Sequence, residues 1–508
     1  MKRYKISHYN GARCADELVI YDVPGKTGTN AYGCEAVVEN GIVTVFGSND
    51  NTVPEGGFVI SGHGKAALMV GELCEGAKIE IDKATNELCY TVDDDAKLYG
   101  ASKKLAFNKI RFENLVSKGC IFDADAADEA IRNAAKAIED KNVADAEKWV
   151  EEGYYLTAES KKGEIRAIWH RPYENSPEEI DAAVRRLKEA GFNMLLVETN
   201  YEGWANAKKV VYDWLPLSPK WAKADFDPIE EFIKAGKKYG VEIHAWLEDF
   251  FIGVKDMGCR MFELHPELMA YTKDGGHLMD GWDIFYFLNP ALDEVHDLLE
   301  KEYRDLLDNY DFDGIQLDYI RYPVIKDIYH SAGFEDSTKK MFLADTGIDV
   351  DAIPDTNHPD WAQFNKWRAS KITKYVNRIV DMVNEYKAKG RKLALTSAVF
   401  GDPDEAIRLK CQDWQRWVKN GWLDMIFPMA YLNEASDVYK EIKYMVDNYG
   451  ESPNISGISP MYSHLPVIES TKQVEACRKA GASGVAFFET RALTDEQIDK
   501  LRKGVFRD

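Results

Sequence analysis

One rhythm constrains this chain more than any other feature. From about residue 163 to residue 500, short continuous apolar runs alternate with amphipathic segments, eight of each. The runs are EIRAIWH (164–170), NMLLVE (193–198), EIHAWLE (242–248), GIQLDYI (314–320), KLALTSAVF (392–400), DMIFPMAY (424–431), ISGISP (455–460) and GVAFFE (484–489). Continuous apolar character marks strands buried on both faces, as in a parallel sheet covered by helices. The intervening segments carry helix start and stop signals. Ser176-Pro177 with Glu179 predicts a helix opening with a capping box, and Gly191 predicts its end. Asp227-Pro228 and Gly240 bracket the next helix, and Thr494 with Gln497 caps the last. Eight βα units in about 345 residues predict an α/β chain with a (β/α)8 TIM barrel. An open doubly wound sheet would carry a Gly-rich phosphate loop after its first strand. Here that strand runs into WHRPYEN instead.

Upstream, the pattern is different. Residues 1–122 read as a smaller β-rich N-terminal domain. Asn40-Gly41 lies between two apolar runs, a strong hairpin signal, and FVISGHGKAALMV, AKIEID and ELCYTV add short strands. Residues 123–162, rich in Ala, Glu and Lys at helical spacing, read as a helical linker, and 163–508 as the barrel.

Charge narrows the partners. The net charge of −22 is spread along the chain, so phosphate backbones and anionic lipid surfaces are repelled; neither nucleic acid nor membrane is expected as a partner. No run of ~18 apolar residues occurs, and no apolar stretch follows the basic residues near Met1, so the reading is cytoplasmic. The eight cysteines form no C-x-x-C pair and most of them read as buried thiols, and the ten histidines are scattered, with no His-x-His on the first strand. No metal and no cofactor is expected. A homo-oligomer is compatible with the sequence.

Chemistry in such barrels sits at the C-terminal ends of the strands. Carboxylates crowd those ends: Glu198 on the second strand, Glu248-Asp249 on the third, Asp318 on the fourth and Glu489 on the eighth. Glycosidic cleavage needs such a set, one acid to protonate the leaving oxygen and one carboxylate to attack or to activate water. Trp169, Tyr201, Trp246, Tyr431 and Tyr462 supply flat faces for sugars, with His170 and Arg321 as polar contacts. Trp169 and Trp246 suit core packing equally well. In DGIQLDYIRYP, an apolar strand delivers Asp318 to the rim, costly unless the carboxylate is paired or used, and Arg321 is its expected partner. Strand alternation puts His244, Trp246 and Glu248 on one face beside the strand of Asp318. Glu248 therefore ranks first as second carboxylate, Glu489 second and Glu198 third, with Glu198 also a sugar-hydroxyl ligand. In the long segment after the third strand, His265, Trp282, Phe285 and Tyr286 are candidate subsite residues.

Residues 163–500 resemble the glycoside hydrolase-like family 10 proteins. The resemblance rests on EIRAIWH, KEAGFNMLLVE, VEIHAWL, LNPALDEV, DFDGIQLDYIRYP and DWQRWVKNGWLDMIFPMAY, in that order. It implies a bacterial (β/α)8 glycosidase-type site with Asp318 on its best-marked acidic position. Family members often carry an amide where this chain has Glu198 and Glu248, and they are commonly exported. The expected function is therefore a glycoside hydrolase acting on oligosaccharides or bacterial glycans with a carboxylate pair, and the absence of an export signal favours imported oligosaccharides. The alternative is a non-catalytic glycan-binding or sensing barrel, which would keep the aromatic rings and lose turnover.

Overall fold

A computed structural model describes residues 1–30, 33–280, 283–463 and 465–507. Trp282 lies outside the described residues. The alternating segment folds as predicted into eight parallel strands: β1 (Ile165–His170), β2 (Met194–Glu198), β3 (Glu242–Glu248), β4 (Gly314–Asp318), β5 (Ala394–Val399), β6 (Met425–Pro428), β7 (Ile455–Ile458) and β8 (Gly484–Phe487). They form one sheet in the order β6-β5-β4-β3-β2-β1-β8-β7. β6 and β7 approach through parallel bridges Ile426↔Asn454 and Met429↔Gly457, which nearly close the barrel. Inward residues pack as a separate core of Ala167, Trp169, Met194, Leu196, Trp246, Phe427 and Phe488, while outward residues such as Ile168, Val197 and Leu317 join the large cluster under the helices. This division is the period-two alternation of a strand with both faces buried.

The helix signals hold with one change. Ser176 accepts from the Glu179 amide, and Pro177 opens the helix Pro177–Glu189. Glu179 reaches one residue further back than a capping box requires, taking the Asn175 amide at 2.7 Å. The same carboxylate oxygen also accepts from Asn175 Nδ2 at 3.3 Å, so Glu179 secures the preceding turn instead. Thr494 and Gln497 form the complete reciprocal box.

Asn40 (φ 52°) and Gly41 (φ 74°) turn the hairpin between strands Gly33–Glu39 and Ile42–Phe46, both left-handed as a primed two-residue turn demands. These strands belong to an eight-stranded N-terminal sheet. Helical structure begins earlier than the composition shift suggested: in FVISGHGKAALMV only Phe58–His63 is strand, and KAALMV forms the helix Lys65–Val70. Asp94–Ser117 is a helix, and it packs its Leu98, Ala101 and Leu105 against the helices Ala124–Glu139 and Val143–Leu156. Its weak amphipathicity hid it, because its apolar residues serve two neighbours. Arg111 on this helix pairs with Glu475 of the barrel at 2.6 Å, and Ser48 of the N-terminal sheet meets Ser436 at 2.8 Å. No helix among the described residues is long and apolar enough to cross a membrane.

Candidate active site

The strand ends form a cup whose floor is charged. Strand register decides which carboxylates share it. Glu248 and Asp318 are direct partners across β3 and β4, and both follow the inward series that contains Trp246 and Gln316. Adjacent strands are ~4.8 Å apart, so these two side chains rise from neighbouring points of the rim. Glu198 is the partner of Trp246 across β2 and β3, one inward step lower.

The carboxylates differ in their hydrogen bonds. Asp318 is half-buried and takes two donors, the Tyr319 amide at 2.6 Å and Trp246 Nε1 at 3.0 Å. Burial raises its pKa, while these bonds and the charges of Arg321 and Arg171 oppose the rise. Glu248 is buried, with one donor to Oε2, the Glu202 amide at 3.0 Å, and none to Oε1. Burial and the neighbouring Glu198 hold its pKa well above the carboxylate range. Glu198 is fully buried but accepts from Arg171 Nε through both oxygens, at 3.0 and 3.1 Å. Burial pushes it up and the guanidinium opposes that push.

Arg171 is the residue that sequence reasoning passed over. It was visible as the first residue after β1, but nothing in its neighbours announced its role. Its guanidinium lies over Tyr201, Trp246 and Phe488, with ring-centre distances of 4.5, 5.2 and 5.5 Å, and the charges of Glu198 and Glu248 keep it cationic. It is the positive centre of an acidic cup. The rim is aromatic: Tyr462 stacks on Phe488 at 5.2 Å, Tyr431 lies 5.8 Å from Tyr462, and Tyr319 stacks on Phe251 at 4.7 Å. Tyr319 adopts φ 47°, a left-handed conformation rare for a bulky residue, which ends β4 immediately after Asp318. Tyr462 is 59% exposed, so its face is open to a ligand.

Other predicted residues sit elsewhere. Arg321 ion-pairs with Asp280 at 2.8 Å and makes no salt bridge to Asp318; the left-handed turn at Tyr319 carries the chain away from the floor. Trp169 is buried, with its Nε1 satisfied by Gln316 at 2.6 Å, so it is a barrel-core residue without a surface for sugar. Trp246 is likewise buried, but its indole N–H positions Asp318. His170 points outward, because its neighbour Trp169 takes the inward position. It hydrogen-bonds Thr490 and Glu174 and lines a cavity of about 260 Å³ on the helix side of the barrel. Glu489 is buried against Arg491 at 2.8 Å; its charge reaches Glu198 and Tyr462, beside the central pair. Asp249 faces outward and accepts from Tyr375 and Tyr303 at 2.8 and 3.1 Å. His265 pairs with Glu267 in the long segment after β3, while Phe285 packs on Phe251. Tyr286 packs with Phe262 in the same segment.

A supporting network lies behind the cup. The Glu248 amide donates to Asn200 Oδ1 at 2.9 Å, and Asn200 Nδ2 donates to the buried Glu302 at 3.0 Å. Burial pushes the Glu302 carboxyl up to about 8. Sequence periodicity made Glu302 one acid among many on its helix, and only tertiary packing distinguishes it. Among the described residues, no group of three or more His, Cys, Asp or Glu side chains is arranged to hold a metal ion.

A nearly closed parallel barrel with carboxylates and aromatic rings at its C-terminal rim defines a protein of the glycosidase-like barrel class. The chain belongs to the glycosyl hydrolase-like 10 family, whose sequence model matches residues 164–456. It is 26% identical over 347 residues to an S-layer-related protein of Niallia circulans, a match covering 56% of this chain and 21% of that protein. It is 19% identical over 263 residues to glycosyl hydrolase DigH of Escherichia coli O6:H1, covering 48% of this chain and 56% of the relative. Both matches span well under two thirds of the relatives' lengths. Among solved structures, the catalytic domain of β-amylase from Paenibacillus polymyxa aligns with a TM-score of 0.48 at 11% identity, over 67% of this chain and 95% of that one.

Proposed function

We propose that this protein is a glycoside hydrolase that cleaves O-glycosidic bonds of oligosaccharides or glycans with Glu248 as proton donor and Asp318 as nucleophile. The observation that carries the reading is the Glu248–Asp318 pair, two carboxylates in direct register with unequal hydrogen bonding. Environments that push two acids apart assign their roles. Glu248, deeply buried with a bare Oε1, retains a proton that it can give to the leaving oxygen. Asp318, more open and held by two N–H donors, is the better anion to meet the anomeric carbon. Arg171 supports this division by neutralising Glu198, which would otherwise add a second negative charge beside Asp318. Neighbouring strands favour the ~5 Å carboxyl spacing of retaining enzymes over the wider gap that admits water between the groups. Tyr462, Tyr431 and Tyr201 are read as the sugar-stacking faces of the cup.

The test is hydrolysis of a panel of aryl glycosides and oligosaccharides by the wild type and Asp318→Asn, with the product anomer followed by NMR. Cleavage with retained configuration, reduced at least ~1000-fold in the variant, a barrier change of about 4 kcal/mol, is the expected result. Oligosaccharide binding without turnover in the wild type would instead favour a glycan-binding barrel.

A further inference from the structure

Lys410 is a cation without an ion-pair partner among the described residues, at the barrel's catalytic face. It ends the helix Pro403–Lys410 that follows β5. Its segment docks on the loop after β4: the Tyr322 amide donates to Lys410 O at 3.0 Å and the Ile325 amide to Leu409 O at 2.8 Å. The residue is 8% exposed, and its Nζ lies 3.7 Å from the centre of the Phe400 ring, immediately after β5. No carboxylate or carbonyl accepts from Nζ among the described residues. The two acids that act on it electrostatically are engaged by arginines, Asp280 with Arg321 at 2.8 Å and Glu405 with Arg408 at 3.2 Å. Burial and the Arg321 charge lower the ammonium to about 8.

The ammonium is thus held against a ring while both of these carboxylates are engaged by arginines, which leaves its charge available to an incoming anion. Arg321 shares the same platform, its guanidinium carbon 5.5 Å from the Phe400 ring centre and 4.9 Å from that of Tyr319. Arg321 also acts electrostatically on Asp318. Through Tyr319, the residue after Asp318, the two cations adjoin the rim of the cup, whose own floor is acidic and would repel an anion. We propose that Lys410, assisted by Arg321, forms an anion subsite that takes a carboxylate group carried by a sugar flanking the bond to be cleaved. The proposal rests on the glycosidase reading and adds that the preferred glycan is acidic. Phe400 holds the Lys410 ammonium in place, and Lys410, which has no ion-pair partner among the described residues, supplies the charge-assisted contact to the sugar's carboxylate, with the Asp280-paired Arg321 beside it.

The experiment compares oligosaccharides matched except for the carboxyl group: tetragalacturonate against its carboxyl-reduced form, and a hyaluronan tetrasaccharide against its carboxyl-reduced form. Calorimetry measures their binding to the wild type, Lys410→Met and Lys410→Arg, and hydrolysis of neutral aryl glycosides is followed separately. The wild type is expected to prefer the acidic member of a pair at least about tenfold. Lys410→Met, which keeps packing on Phe400, should bring that ratio to about one, and Lys410→Arg should retain most of it. No acidic preference in either pair, or a preference that survives Lys410→Met, overturns the subsite. Neutral-glycoside cleavage in that case leaves the glycosidase reading intact, whereas a wild type that cleaves nothing removes that reading directly.

Discussion

At the scale of the residue, the site depends on how three carboxylates, two buried and one half-buried, divide protons and partners. Glu198 has the guanidinium, Asp318 has two N–H donors, and Glu248 has one amide and one bare oxygen. A proton held on Glu248 matters only when the leaving group needs it. Glu248→Gln should therefore lose at least ~100-fold on glycosides with poor leaving groups, since general acid catalysis contributes about 10²–10⁴. It should lose far less on a dinitrophenyl glycoside, which departs without protonation. Steady-state kinetics across a leaving-group series reads the difference, and an equal loss on all members would reassign the acid.

At the scale of the element, barrel strands must let inward side chains interlock, and small residues set where that happens. A Cβ on Gly314 would overlap the His244 ring and approach Ala394 O at 2.9 Å, from two adjoining strands. Gly314→Ala should cost about 1–3 kcal/mol by overpacking, seen as a lower denaturation midpoint with an unchanged m-value. A midpoint equal to that of the wild type would mean that the layer yields freely. The strands themselves were legible in the sequence. EIHAWLE is β3 residue for residue, and the other strands differ only in their terminal residues. Double burial leaves an unbroken apolar run, which composition shows directly. The rim was half legible. Asp318 and Glu248 follow from strand position, but Arg171, Asn200 and Glu302 gain their roles from contacts between elements far apart in sequence. Arg321 was assigned to Asp318 on proximity along the chain, and the left-handed Tyr319 sends it to Asp280 instead. No periodicity signals a positive φ at a tyrosine.

At the scale of the molecule, net charge and buried acids act on stability in the same direction. The chain carries −22 at neutral pH, and self-repulsion grows as pH rises. Glu302 adds a specific contribution. Its folded carboxyl, pushed up by burial to about 8, starts from an ordinary value of 4.5. Between these values the folded state holds a proton that the unfolded chain has released. This contribution to stability is therefore complete below about 4.5 and is lost as pH rises through about 8, at no more than about 1.4 kcal/mol per pH unit. Asp249 and Glu248, also raised by burial, act with the same sign. Thermal denaturation followed from pH 5 to pH 9 should show a falling midpoint. Glu302→Gln keeps the shape and offers an amide to Asn200 in place of the protonated acid, so its profile should be flatter, with the smallest difference from wild type at the acidic end. If the two profiles ran parallel, Glu302 would be ionised in the fold, and Asn200 would be holding Glu248 in place through a buried charge.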